Sequence, residues 1–364
     1  VNRIRIVYFI VFFIGAWIPN LQAQILNNSR ISTDLQYGFL IPEYSFFSYL
    51  THEPIRGIEL NAAKEFSGKQ IWHKVYRYPE LGFSLLYTTL GNDDVFGRAW
   101  TLQPYMSFKL LYRPKFILDF RIGTGIGYVT KYFNAETNYQ NIALGSALNV
   151  YFNSQIKANF KIWNQLYLNA GLSFSHLSNA NLAEPNIGLN TISAFLGAEL
   201  NLLEEKNRKE PNPVFDDYNE FDISIYSGLK KTRRFAANRF VTISSAFEYR
   251  RHMGHKLALG AGVDVFYDSS IPTEMRLKGE ENPSDWSVLK TGIHVSQTIK
   301  VGTVSLIIQE GIYVGMVDKL EGQTFYNRGI LRYQVSKKWY IQASMKTNLM
   351  VLDVMEIGLA YAIQ

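Results

Sequence analysis

The sequence predicts an all-β, antiparallel transmembrane β-barrel of the outer-membrane kind, with about 12–16 strands. Three observations predict it. Segments of roughly ten residues alternate apolar and polar side chains. The connections between these segments alternate long and short. The chain also combines 23 Tyr and 24 Phe with no Cys in 364 residues, behind an apolar leader.

The leader reads VNRIRIVYFIVFFIGAWIPNLQAQ. Arg3 and Arg5 begin it, an apolar run follows from Ile6 to Ile18, and small residues close it. That run is short for a membrane span, which needs about 20 residues. Residues 1–23 are therefore expected to be a secretory signal peptide cut after Ala23, leaving 24–364 as the barrel. Without cysteine, disulfides and thiolate chemistry are excluded. A net charge of +6 with no basic stripe gives no sign of a nucleic-acid partner.

The strands are legible from their period of two. Trp100, Leu102, Met106, Phe108, Leu110 and Tyr112 share one face, against Thr101, Gln103, Ser107 and Lys109. Val241, Ile243, Phe247 and Tyr249 oppose Thr242, Ser244, Glu248 and Arg250, and Leu257, Leu259, Val263 and Val265 oppose Gly260, Gly262 and Asp264. A soluble sandwich would show the same alternation with the apolar face inside, so periodicity alone leaves both open. The connections favour the membrane. PEYSFFSYLTHEP, GNDDVFGR, KYFNAETNYQN and SSIPTEMRLKGEENPSDW are long and polar, while RPK, NQ, MGH, KVG and SKK are short. Long outer loops and short periplasmic turns are the barrel asymmetry. Pro104 is a local conflict, since proline cannot donate to a ladder.

Two links on the short-turn side are long, at 66–81 and 204–219. The second, EEKNRKEPNPVFDDYNE, separates 24–203 from 220–364. Each part has room for about eight strands. One large barrel or an eight-stranded barrel followed by a second β unit both fit. The chain end favours the single barrel. Glu356, Gly358, Tyr361 and Ile363 resemble the last-strand signal that the outer-membrane assembly machinery reads, and nothing similar ends the first part.

One stretch, FSHLSNANLAEPNIGLN at 174–190, gathers a histidine, two serines and several asparagines. By parity Leu172, Phe174, His176 and Ser178 form one row, and Ser173, Ser175 and Leu177 the other. On the returning strand Asn190 begins the row of Ile192, Ala194, Leu196 and Ala198, opposite Thr191, Ser193 and Glu199. His176, Ser178 and Asn190 thus converge on the lipid-facing wall at its outer end. Lipid offers polar groups few partners, so the place suits an enzyme with a lipid substrate. Ser178 would be the nucleophile and His176 its base. Asn179 or Asn186 would donate to the oxyanion, and Pro185 and Gly188 shape the loop between the strands. The bland reading of the same residues is a solvated polar girdle at a barrel rim.

The segment resembles the active site of the PagL family of lipid A 3-O-deacylases, a group that includes acyloxyacyl hydrolases. The matching positions are His176, Ser178, Asn179, Ala180, Pro185, Asn186 and Gly188. The resemblance covers about residues 55–203 and is specific within 174–190. It implies an eight-stranded outer-membrane barrel, hydrolysis of the ester-linked hydroxyacyl chain at the 3-position of lipid A, and lipopolysaccharide of the outer leaflet as partner. It implies no metal and no organic cofactor. It also makes Asn190 the third catalytic member, where the family has Glu. An amide can orient an imidazole but lends it no charge. Glu184 lies in the loop and Glu199 on the opposite row, so neither replaces it. Residues 220–364 fall outside the resemblance. The rival is a non-catalytic barrel, a channel or scaffold with a degenerate site.

Other motifs carry little. His252 and His255 in RHMGHK lack further ligands for a metal. HEP at 52–54 is no HExxH. GTGIG at 123–127 lacks the dinucleotide spacing, and its glycines are expected to relieve crowding on a barrel wall. Lys230, Lys231, Arg233, Arg234 and Arg239 are candidates for lipid phosphates or for plain solvation.

Overall fold

The computed structural model describes residues 28–42, 45–51, 53–179, 183, 185–203, 214–230, 239–280, 282–314, 324–348 and 351–363. The signal-peptide reading of 1–23 lies outside them.

Two compact units divide within the expected 204–219 link, at residues 1–211 and 212–364. The first holds β1 (Ser29–Ile41), β2 (Ile55–Glu65), β3 (Glu80–Thr89), β4 (Arg98–Arg113), β5 (Phe116–Val129), β6 (Leu148–Trp163), β7 (Leu166–Ser178) and β8 (Leu189–Asn201). Each strand pairs antiparallel with the next, and β8 returns to pair with β1 from Asn201↔Arg30 to Asn190↔Ile41. The second holds β9 (Tyr218–Lys230), β10 (Phe240–Met253), β11 (Leu257–Asp268), β12 (Leu289–Val301), β13 (Val304–Tyr313), β14 (Phe325–Gln334), β15 (Trp339–Asn348) and β16 (Val351–Ile363). It closes through β16 against β9, from Glu356↔Gly228 to Ile363↔Phe221.

The strand total sits at the top of the expected range, and the arrangement is two eight-stranded barrels rather than one of sixteen. The physical reason is the β1–β8 ladder. Twelve residue pairs join those strands, so the first sheet has no edge left on which β9 could continue it. The last-strand pattern around Glu356 and Tyr361 belongs to the strand that closes the second barrel. The long link at 66–79 contains a short helix, α1 (Ile71–Val75), and the connection after β11 contains α2 (Ile271–Leu277).

Side-chain direction follows the sequence pattern. Leu35, Phe83, Leu172 and Leu196 of the first barrel, and Ile225, Leu259, Val295 and Ile357 of the second, stand on the outer wall with large exposed areas. An apolar outer wall on a closed barrel is a lipid-facing surface, which removes the soluble reading. Pro104 keeps its register with Phe83 on β3, while the ladder to β5 passes from Leu102 to Tyr105 without it. Opposite that gap the wall closes tightly. A Cβ at Gly125 would lie 2.2 Å from the Leu102 carbonyl oxygen and one at Gly123 2.6 Å from that of Pro104. The glycines of GTGIG therefore serve close backbone approach.

The lumens are full. In the first barrel Arg30 donates to Glu199 at 2.6 Å and Asp119 at 2.7 Å and reaches Glu80 at 3.2 Å. Lys109 joins Glu80 and Glu65, Lys157 joins Glu199, and Arg121 joins Glu59. In the second, Arg250 contacts Asp222 at 2.6 Å and Glu248 at 2.9 Å, Arg332 contacts Asp222, and Arg328 contacts Glu356. Inside the charged ring of the first barrel only about 20 Å³ remains, and about 10 Å³ beside Arg250 in the second. Eight strands enclose an interior just wide enough for side chains. Among the described residues neither lumen is open, which disfavours the channel form of the rival reading and leaves its scaffold form.

At its outer end the first barrel is plugged by an apolar cluster. Leu50, Val95, Phe96 and Leu144 from the outer connections pack with Leu177 and Leu189, the inward residues at the ends of β7 and β8. The plug fixes from inside the two strand ends that carry His176 and Asn190 outside.

Arg30→Met leaves Asp119 without a cationic partner among the described residues. The expected loss of unfolding free energy is about 3–5 kcal/mol, read from urea unfolding of the folded barrel in detergent. A loss no larger than that of Leu172→Ala on the lipid face would refute the lumen network as a stabilising element.

Candidate active site

The expected parity holds in the structure. Along β7, Leu168, Leu172, Phe174, His176 and Ser178 face out, while Tyr167, Asn169, Ser173, Ser175 and Leu177 face the lumen. Along β8, Asn190, Ile192, Ala194 and Leu196 face out and Ser193, Phe195 and Glu199 face in. Glu199 is held in the lumen by Arg30 and Lys157 and cannot serve the imidazole. Glu184 lies outside the described residues.

His176 and Asn190 are directly paired across β7 and β8. Their side chains meet, His176 Nδ1 to Asn190 Oδ1 at 2.7 Å. A carbonyl oxygen only accepts, so Nδ1 is the donor, and in the neutral imidazole the lone pair is then on Nε2. That is the tautomer a general base needs on its working nitrogen. Gly188 forms the other wall of the imidazole. Its φ is +86°, and a Cβ there would lie 2.7 Å from His176 Cε1. Glycine is thus required twice, for the backbone conformation and for the ring's seat. The Gly188 N–H donates to the Ala143 carbonyl at 2.9 Å, tying the seat to the connection before β6.

Ser178 lies two residues along the same row, about 6.6 Å from His176 at ordinary strand rise. The expected Ser–His contact is not made. Among the described residues the Ser178 hydroxyl has no hydrogen bond, because the imidazole is turned across the strand pair onto Asn190. Such contacts often close only with substrate in place. Half-buried Ser178 faces Val150 on β6, and His176 faces Phe152. With Ile41 and Ile192 beside Asn190, the polar trio sits within an apolar surface.

The two candidate oxyanion donors are placed differently. Asn179 is buried, its Nδ2 donates to the Ala183 carbonyl at 2.8 Å, and its backbone N–H donates to Asn186 Oδ1 at 2.9 Å. Asn179 therefore braces the loop. Asn186 is half-buried and, with Oδ1 turned to Asn179, has its orientation set from within the loop.

A second His-x-Ser, at His294 and Ser296 on β12, tests how specific the spacing is. Both side chains face the lumen and are buried. His294 lies between Asp264 and Glu248, and Ser296 donates to Glu248. Sequence spacing makes the two pairs alike, and parity separates a substrate-facing pair from a structural one. His252 stacks on Tyr218 at 4.2 Å and His255 meets Phe215 at 4.7 Å. No group of metal-ligating side chains gathers among the described residues. Lys230 is engaged by Asp353 at 2.8 Å and Asp268 at 3.1 Å, which removes it as a phosphate ligand. Lys231, Arg233 and Arg234 lie outside the described residues.

Nδ1-protonated His176 is the expected resting form by ¹⁵N NMR of the imidazole. Asn190→Leu should return the ring to a mixture richer in the Nε2–H tautomer. An unchanged tautomer in the variant would dismiss the Asn190 bond as the cause.

Comparison with known proteins follows this geometry. The crystal structure of the outer membrane enzyme PagL is 17% identical and aligns over 46% of this chain and 97% of its own, at a TM-score of 0.32. That of Neisserial surface protein A is 9% identical over 48% of this chain and 97% of its own, with a TM-score of 0.32. The Acinetobacter baumannii outer membrane protein Omp33 aligns over 93% of this chain and 98% of its own at 8% identity and a TM-score of 0.18. No curated protein sequence matches the chain. Residues 56–199 match the family described as lipid A 3-O-deacylase (PagL), and residues 219–364 match the family described as acyloxyacyl hydrolase, C-terminal domain. With one match on each barrel, the chain belongs to the PagL-like family of outer-membrane β-barrel proteins.

Proposed function

We propose that the first barrel is a serine esterase that removes an ester-linked acyl chain from lipid A in the outer leaflet. The observation that carries this reading is the 2.7 Å bond from His176 Nδ1 to Asn190 Oδ1 on the outer wall. It leaves a basic Nε2 on the row that holds Ser178. A packed lumen supports the same reading, since it turns all access toward the membrane side.

In the proposed reaction the Ser178 hydroxyl attacks the ester carbonyl while His176 Nε2 takes its proton. The carbonyl oxygen becomes an oxyanion, for which Asn179 or Asn186 at the loop would supply the donor. His176 returns the proton to the leaving sugar oxygen, and an acyl-Ser178 remains. Water then enters and attacks the acyl carbon while Nε2 takes one of its protons; Nε2 returns that proton to the Ser178 oxygen as the acyl–oxygen bond breaks and the fatty acid leaves. Asn190 holds the ring throughout. As a neutral amide it steadies the imidazolium less than a carboxylate would, because hydrogen bonds to ionised groups are roughly twice as strong.

Mass spectrometry of lipid A from cells making the chain tests the proposal. Wild type should remove one hydroxyacyl mass, and Ser178→Ala should leave lipid A intact with the barrel still folded. Asn190→Glu should raise the rate about tenfold, equivalent to about 1.4 kcal/mol of barrier. Intact lipid A with all three, in membranes where the protein is correctly inserted, would leave a non-catalytic scaffold as the reading.

A further inference from the structure

The outward parity of the second barrel carries a carboxylate within its apolar belt at one row. Tyr249, Ala261, Val295, Glu310, Asn327 and Thr347 pair successively across β10 to β15. On β13 the outward residues are Val304, Leu306, Ile308, Glu310 and Ile312. Glu310 is therefore an exposed carboxylate inside an isoleucine row, three residues below the strand end at Tyr313. Beside it stand outward Asn327 and, at the rim of β14, Phe325. The connections that follow β9, β11 and β13 are the longer ones, so this end is the outer one.

A depression of about 690 Å³ opens at this row, lined by Ala261, Val295, Glu310, Ile312, Phe325 and Asn327 among others. That is the size of a small-molecule site. Small side chains make the hollow. Ala261 stands in its floor, and below Asn327 the outward position is Gly329, where an added Cβ would meet nothing within 4 Å. Among the described residues Glu310 has no ion-pair or hydrogen-bond partner. A carboxylate on a lipid-facing wall is costly, so an occupant that donates to it is the natural resolution.

The side chains specify that occupant. A carboxylate accepts from two hydroxyls, and the adjacent carboxamide both donates and accepts. Phe325, more than half exposed at the level of Ile312, one outward position nearer the rim, offers a flat apolar face to the C–H face of a ring. Acid, amide and aromatic together suit a sugar. The isoleucine and leucine rows below suit acyl chains, and no lysine or arginine lines the hollow; His294, the one imidazole of its lining, is turned inward to Asp264 and Glu248 and so is not offered to a phosphate. We infer that this depression is a glycolipid-binding site, in which Glu310 and Asn327 hydrogen-bond the hydroxyls of an outer-leaflet sugar headgroup and Phe325 packs against its ring. The site is on the second barrel and does not rest on the esterase reading.

Native mass spectrometry of the purified full chain in detergent tests it, with a monoglucosyl diacylglycerol as probe and phosphatidylethanolamine and phosphatidylglycerol of the same chains as comparators. The expected result is preferential retention of the glucolipid, weakened at least tenfold by Glu310→Gln and by Asn327→Ala. Phe325→Leu should weaken it less, and Ser178→Ala not at all. These outward substitutions leave the lumen pairs untouched, and heat-modifiable gel mobility reports the fold of each variant. Retention of phosphatidylethanolamine equal to that of the glucolipid would make Glu310 an ammonium site and overturn the proposal. So would glucolipid binding indifferent to Glu310→Gln, or self-association of the chain that only Glu310→Gln abolishes.

Discussion

Closure at eight strands is the constraint on which the rest depends. A barrel of that size has an interior that side chains must fill, and the inward rows here are polar. Those groups can be buried only if they satisfy one another. Arg30 among Glu80, Asp119 and Glu199, and Arg250 among Glu220, Asp222 and Glu248, are the result. The filled lumen leaves no path along the barrel axis. The proposed chemistry is accordingly placed on the outer wall, where the surroundings are lipid.

That constraint gives the outer polar residues their meaning. An outward polar side chain in a membrane barrel lacks partners unless a neighbour or a ligand supplies them. His176 finds Asn190 directly across the ladder and is seated against Gly188. Gly188 in turn is held by Ala143, while the neighbouring Leu177 and Leu189 are packed into the apolar plug. The imidazole is thus oriented by backbone and core contacts made before any substrate arrives. This is the preorganisation that a base needs. His294 and Ser296 show the contrast, since the same spacing turned inward is consumed by Asp264 and Glu248.

Much of this is legible in the sequence, and what is not has physical reasons. Strand direction is a local property with a period of two, so the outward placement of His176, Ser178 and Asn190 could be read from parity alone. Closure is not local. Whether β8 continues to β9 or returns to β1 is decided by a ladder between residues about 150 to 170 positions apart, and the last-strand pattern at Glu356 pointed to one large barrel. The lumen pairings are illegible for the same reason. Arg30 meets Glu80, Asp119 and Glu199 only once the barrel has closed. The direction of the His176 ring also depends on a cross-strand partner, so the i, i+2 spacing that suggested a Ser–His contact did not produce one. Glu310, by contrast, stood in plain view in SLIIQEGIY as a charge on the apolar parity. Attention to strands that carry a motif passes over it.

The two barrels share closure and a charged lumen, and they differ in the chemistry of the outer wall. On the first, the polar outward residues at the outer end are an imidazole, the amide it bonds and a hydroxyl, which the proposed reading uses to move a proton. On the second they are a carboxylate and an amide beside an aromatic ring, with no histidine on that row. The second set can accept and donate hydrogen bonds, and of its members only the Glu310 carboxylate could take a proton, since neither Asn327 nor Thr347 can. In the readings proposed, the esterase chemistry and the sugar recognition thus rest on different outward residue types, each on its own barrel, and each stands or falls without the other.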